Sequence, residues 1–200
     1  MREISPGIHH WTAFRDTIGT RVSCYWVAPA RILIDPLAPD EGLDALLGLD
    51  PEPQQVVLTN RHHRRDAARI ADALDVPIRF SPPSQDELGD LGRGRAYRWG
   101  EEVAPGVTAL EVGVLSPDEG ALHIAHGAGA LAVGDTLTRS GDDLAFMPDD
   151  LLGDDPQAVR DGLRARFEAL LERDFDALLL AHGEPLGRGA KAALADFLAS

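Results

Sequence analysis

The chain has 200 residues, of which 44% are hydrophobic and 26% are charged, and this composition predicts a single compact domain spanning 1–200. A formal net charge of −14 argues against nucleic acid or an anionic membrane as a partner. Cys24 is the only cysteine, so no intrachain disulfide can form. With no apolar leader and no long apolar run, the sequence predicts a cytoplasmic protein.

The first half of the chain predicts short strands separated by helices. A helix is expected over 41–47, and a second over 66–74, where apolar residues recur at helical spacing. Residues 81–95 are rich in Pro, Gly and charge and predict mostly loop. The strands predicted here are short apolar runs bounded by turn residues: 8–14, 21–27, 31–34, 55–59 and 76–78.

The second half repeats this order of strands followed by helices. Helices are expected over 156–171, with Pro156 in the first turn, and over 189–198. The acidic stretch 136–155 predicts an irregular connection. The strands predicted here are 107–112, 121–125, 130–133 and 177–180. Two halves that each supply a sheet and its outer helices would bury their apolar faces in four layers, αββα.

Polar residues follow three of the predicted strands directly. The first group runs from Thr59 through Asn60-Arg61-His62-His63-Arg64-Arg65 to Asp66. The second is Gly134-Asp135-Thr136, and the third is His182-Gly183-Glu184-Pro185. Ligand sites in αβ proteins form where strand ends converge, so we expect these three groups to meet.

With these groups in place, the sequence resembles the metallo-β-lactamase superfamily, nearest in size to its glyoxalase-II-like and small hydrolase members. The resemblance covers nearly the whole chain, from Ile4-Ser5-Pro6-Gly7 through Leu33-Ile34-Asp35-Pro36 to His182-Gly183-Glu184-Pro185. It implies a mixed α/β (α+β) fold, the four-layer αββα metallo-β-lactamase sandwich. In that family two metal ions polarise the substrate and generate hydroxide.

The chain departs from the family's metal-binding pattern. Where the family has His-x-His-x-Asp-His after the strand threonine, this chain has, in ligand order, Asn60, His62, Arg64 and Arg65. Leu115 stands at the third histidine position, while Asp135 and His182 are retained. Leucine offers no donor atom and arginine does not deprotonate in proteins. The resemblance therefore implies that the two-metal site is lost and that no metal cofactor is required.

The leading hypothesis is a fold member without the two-metal site that binds a small anion in the residual cleft. Its candidate ligand-binding residues are Asn60, His63, Arg64 and Arg65, because arginines at a helix N-terminus bind carboxylates and phosphates. A separate, purely structural interpretation keeps His62, Asp135 and His182 as hydrogen-bonding residues around Arg64 or Arg65, which takes the place of the metal and pairs with Asp135.

The alternative is a mononuclear hydrolase of esters or thioesters. Its metal ligands would be His62, Asp135 and His182, with His63 or Asp66 as substitutes, and the ion would be zinc, iron or manganese. No catalytic residue, substrate or protein partner follows from the sequence in either case.

Overall fold

The structure, a computed structural model, describes residues 1–200 and contains fourteen strands. The first seven form one sheet in chain order, antiparallel as far as the fourth strand and parallel from the fourth to the seventh. They are β1 (Arg2–Ser5), β2 (Ile8–Arg15), β3 (Thr20–Val27), β4 (Ile32–Ile34), β5 (Gln55–Val57), β6 (Ile78–Phe80) and β7 (Gly94–Ala96).

The other seven strands form a second sheet and a small ribbon. They are β8 (Glu102–Ala104), β9 (Val107–Glu111), β10 (Gly120–Ile124), β11 (Ala130–Val133), β12 (Leu137–Ser140), β13 (Asp143–Phe146) and β14 (Ala177–Leu180). The second sheet has the order β14-β11-β10-β9-β8, with β14 parallel to β11. The ribbon is the antiparallel pair β12-β13.

Five α-helices cover the outer faces of the two sheets. They are α1 (Asp44–Leu47), α2 (Ala67–Leu74), α3 (Gln85–Leu88), α4 (Pro156–Leu170) and α5 (Ala190–Ala199). None of them is long and apolar enough to cross a membrane.

Three hydrophobic clusters separate four layers of structure. One lies between the sheets and joins Val27 of the first to Leu122 of the second. Another packs the first sheet against α1, α2 and α3, with Ile70 fully buried, and the last packs the second sheet against α4 and α5 around Phe167. The four-layer αββα sandwich expected from the sequence is confirmed.

The acidic connection contains structure that its sequence did not predict. The ribbon β12-β13 lies within 136–155, and it is held because Phe146 packs on Phe167 and Phe197, with ring centroids 6.0 and 5.0 Å apart. The strands β1, β7 and β8 were also not predicted, because they have four residues or fewer and lack a clear apolar alternation. The strand expected at 76–78 begins only at Ile78.

The packing of α4 generates a stability prediction. Phe167 is fully buried, so we expect Phe167→Ala to lower the free energy of unfolding by about 3–5 kcal/mol. Phe14 is 50% exposed, and we expect Phe14→Ala to change it by less than about 0.5 kcal/mol. Urea unfolding followed by tryptophan fluorescence measures both variants. Equal losses in the two would contradict the assigned core.

Candidate functional site

The three polar groups expected to converge do meet, at one edge of the sandwich. In the first sheet β4 leads to Asp35 and the neighbouring parallel strand β5 leads to Thr59. In the second sheet the parallel strands β11 and β14 lead to Asp135 and His182. Because parallel strands place their carboxyl ends at the same edge, both sheets contribute side chains to one site.

His63 lies at the centre of this site and is 1% exposed. Its Nδ1 donates to Asp35 Oδ2 and its Nε2 donates to Asp135 Oδ1, each at 2.9 Å. Burial alone would lower the pKa of His63, but the charges of Asp35 and Asp135 outweigh burial and raise it to about 9. At neutral pH the ring is therefore an imidazolium that bridges two carboxylates.

Asp135 is the common acceptor of the site. It accepts from His63 Nε2 and His182 Nε2, each at 2.9 Å, and from Asn60 Nδ2 at 3.0 Å. Burial acts to raise the pKa of Asp135, but the charge of His63 and the hydrogen bonds from the two histidines hold it far below its usual range. The Asp135 carboxylate is therefore ionised at neutral pH.

Glu119 is a site residue that sequence reasoning missed. It is 2% exposed, and its carboxyl group accepts from Asn60 Nδ2 at 2.8 Å and from the Thr136 amide at 3.1 Å. Burial, and then the charge of Asp135, raise the pKa of Glu119 to about 7. Asn60 thus places one amide nitrogen between two acidic groups. An acid placed just before the apolar strand β10 was the only signal for it in the sequence.

His63, and not His62, lies beside Asp135 and His182. The candidate metal ligands are therefore His63, Asp135 and His182 in place of the set with His62. Asn60 caps the four-residue 3-10 turn Arg61–Arg64 by accepting from the His63 amide at 3.1 Å. That turn directs His63 inward and leaves His62 and Arg64 exposed. The donor atoms of His63, Asp135 and His182 all lie within 4.8 Å of one another.

In donor chemistry these three groups fit one zinc ion, since imidazole and carboxylate are its usual ligands. Asp35, behind His63 Nδ1, would orient the ring as a carboxylate partner often orients a zinc-ligating histidine. Metal binding would require His63 Nε2 to lose its proton and its hydrogen bond to Asp135. A metal ion and the imidazolium bridge are therefore mutually exclusive at this position.

Arg65 lies beneath the site in a different role from the one expected. Its Nη1 donates to the carbonyl oxygens of Ser23 and Asp35 at 2.7 and 2.6 Å, while its Nε and Nη2 are buried without an acceptor. Neither Arg65 nor Arg64 pairs with Asp135, because His63 and His182 already hold that carboxylate. The backbone of Arg65 has φ +34° and ψ −119°, a strained conformation for a residue with a side chain.

A cleft of about 500 Å³ opens beside the site and contains three arginines, Arg15, Arg64 and Arg65. None of their guanidinium groups has a carboxylate oxygen within 4.0 Å. Burial, and then the charge of Arg65, lower the pKa of Arg15, so the two cations are close enough to repel. Arg15 was not a sequence candidate, since it lies about 50 residues away, at the end of β2.

Two of the three aspartates of the cleft contact arginines outside it. Asp40 is paired with Arg21 at 2.6 Å, and Asp66 is 3.8 Å from Arg69. The cleft thus holds three arginines and three aspartates, and of these aspartates only Asp16 has no arginine partner outside the cleft.

Gly183 fixes the loop that carries His182 and generates a matched pair of variants. Its φ is +91°, and a Cβ there would collide with the backbone carbonyl of Arg139. Gly153 has a similar φ of +80° but no atom within 4 Å of an added Cβ. We expect Gly183→Ala to be about 1–3 kcal/mol more destabilising than Gly153→Ala in urea unfolding. Equal effects would mean that backbone conformation alone, without the close contact, requires glycine at position 183.

The imidazolium bridge predicts a fall in stability at alkaline pH. The pKa of His63 is about 9 in the folded protein and 6.5 in the unfolded chain. The stabilisation is therefore complete below about pH 6.5 and is lost as the pH rises through about 9, with a magnitude of about 3 kcal/mol. The free energy of unfolding measured from pH 6.5 to 10 tests this.

The control for this measurement is His63→Gln, which lacks the titrating ring. Burial raises the pKa of Cys24 to about 11. The ionisation of Cys24 therefore affects stability in the same pH range in the wild type and in His63→Gln. Subtracting the two pH profiles therefore isolates His63. Parallel profiles would show that His63 is already neutral at pH 7.

The sequence matches no family model and no curated protein. Solved structures do match. A metallo-β-lactamase from Erythrobacter litoralis, with β-mercaptoethanol in its active site, has a TM-score of 0.67 at 16% identity over 99% of this chain and 95% of that one. A metallo-β-lactamase family protein from Thermus thermophilus has a TM-score of 0.64 at 16% identity, over 98% of this chain and 80% of that one.

The mono-zinc form of the metallo-β-lactamase FIM-1 from Pseudomonas aeruginosa has a TM-score of 0.64 at 14% identity, over 98% of this chain and 93% of that one. At this level of identity the likeness concerns the arrangement of the chain and not the chemistry of its site. The fold expected from the sequence motifs is thereby confirmed: this protein has the metallo-β-lactamase fold.

Proposed function

We propose that this protein binds a small anion in its arginine cleft, and that its own His63 imidazolium stands in place of the metal ions of the two-metal proteins with this fold. The observation that carries the proposal is that Arg15, Arg64 and Arg65 line one cleft and that none of their guanidinium groups has a carboxylate oxygen within 4.0 Å. An anion bound among them would accept charge-assisted hydrogen bonds.

The side chains at the expected ligand positions support the absence of a two-metal site. The Asn60 amide nitrogen is a hydrogen-bond donor engaged with Glu119 and Asp135, and Leu115 has no donor atom for a metal. Arg65 places a permanent cation next to Asp35. Each feature opposes a second dication, the first two by lack of ligands and the third by electrostatic repulsion.

Anion-dependent thermal stabilisation tests the binding proposal. We expect phosphate or a carboxylate to raise the melting temperature of the wild type at constant ionic strength, because a ligand that binds only the folded state stabilises it. Arg64→Ala should reduce the shift, since Arg64 is exposed and lines the cleft. Arg15→Gln should also reduce it, because Arg15 lines the same cleft.

The matched control is Arg166→Ala, which removes an exposed arginine on α4, outside the cleft. This variant loses the same formal charge, so it should retain the wild-type shift. The proposal fails if Arg64→Ala and Arg15→Gln respond to anions as Arg166→Ala does.

A mononuclear hydrolase is the second candidate, and the closeness of His63, Asp135 and His182 favours it. A bound zinc, iron or manganese ion would supply Lewis acidity for the hydrolysis of an ester or thioester. In this case Asp35 would hold the proton on His63 Nδ1 and leave Nε2 free. Elemental analysis of untagged protein separates the candidates: a near-stoichiometric metal that is lost in His182→Ala supports the hydrolase, and a metal-free protein stabilised by anions supports the binder.

A further inference from the structure

The arginine cleft also has an apolar wall. Four of its eleven lining residues are hydrophobic: Ala13, Phe14, Leu37 and Ala38. Phe14 is 50% exposed and is one of five large apolar side chains of the protein that are largely exposed. A half-exposed phenyl ring thus lies one residue before Arg15, so apolar and cationic surfaces border the same space.

The size of the cleft excludes a close fit to an inorganic ion. Its volume of about 500 Å³ falls within the range of sites that hold organic small molecules. An inorganic phosphate or an acetate ion would contact the guanidinium groups and leave the wall of Phe14 and Leu37 exposed to water. A ligand that covered this wall would gain from burying apolar surface.

We infer that the ligand of the cleft is an amphipathic organic anion. Its charged group, a carboxylate or a phosphate, lies among Arg15, Arg64 and Arg65, and its apolar body lies against Phe14 and Leu37. This inference rests on the proposed anion binding and adds the chemical class of the ligand.

The test compares anions with and without a short alkyl chain. The probes are acetate and hexanoate for the carboxylate series, inorganic phosphate and hexyl phosphate for the phosphate series, and neutral 1-hexanol. Dissociation constants come from isothermal titration calorimetry at constant ionic strength. We expect the hexyl anion of at least one series to bind about tenfold or more tightly than its parent anion, because each buried methylene adds affinity. Hexanol should bind far more weakly, since it lacks the charge.

Two variants of the same hairpin locate the effect. Phe14→Ala should abolish most of the gain from the alkyl chain and leave the affinity for the parent anion within about twofold. Ile18→Ala is the matched control, because Ile18 is 49% exposed on the same hairpin but does not line the cleft. It should keep the full gain. Both side chains are largely exposed, so neither variant should unfold the protein, and circular dichroism verifies this.

The results distinguish a failure of the amphipathic-ligand inference from a failure of the proposed anion binding. If parent anions bind, and bind more weakly to Arg64→Ala, but the alkyl chain adds nothing, anion binding stands and the amphipathic ligand is overturned. The amphipathic ligand is also overturned if Phe14→Ala keeps the gain in affinity from the alkyl chain, or if hexanol binds as tightly as hexanoate. If none of the anions binds, the proposed function itself fails. The series with the larger gain identifies the charged group as carboxylate or phosphate.

Discussion

Asp35 and Asp135 come from different sheets, and a single buried imidazole ring between them satisfies both carboxylates. Each hydrogen bond from His63 measures 2.9 Å, and the ring has almost no contact with solvent. Removing one partner of such a buried group leaves an uncompensated charge and typically costs about 3–5 kcal/mol. The bridge therefore joins the two halves of the sandwich at the edge that also holds Asn60, Glu119 and His182.

The same bridge explains how a site with so few metal-binding groups remains stable. The strand ends of this chain bring Asp35, Glu119 and Asp135 to one edge, and buried acidic groups need hydrogen bonds or positive charge nearby. Here the protein supplies that charge itself, through the His63 imidazolium in the centre and the Arg65 guanidinium beneath it. The guanidinium groups of Arg15, Arg64 and Arg65 have no carboxylate oxygen within 4.0 Å, and the proposed anion binding rests on this arrangement.

The layers and strand ends could be predicted from the sequence because they depend on local patterns of apolar residues. The choice between His62 and His63 could not, since it depends on how a four-residue 3-10 turn is rotated by the Asn60 cap. Glu119 and Arg15 were missed because only tertiary packing brings them to the site. The ribbon β12-β13 was missed for a related reason: its stability comes from the contacts of Phe146 with two helices, and its own sequence is polar.

The protonation state of His63 is the most direct measure of the central claim. Protein with ¹⁵N-labelled histidine, prepared without added metal, would be titrated by NMR from pH 6 to 10.5, and the His63 resonances would be assigned by comparison with His63→Gln. We expect both ring nitrogens to be protonated at pH 7.5, with a midpoint near pH 9. A neutral ring at pH 7.5, with Nε2 unprotonated, would contradict the imidazolium bridge and favour a metal ligand at this position.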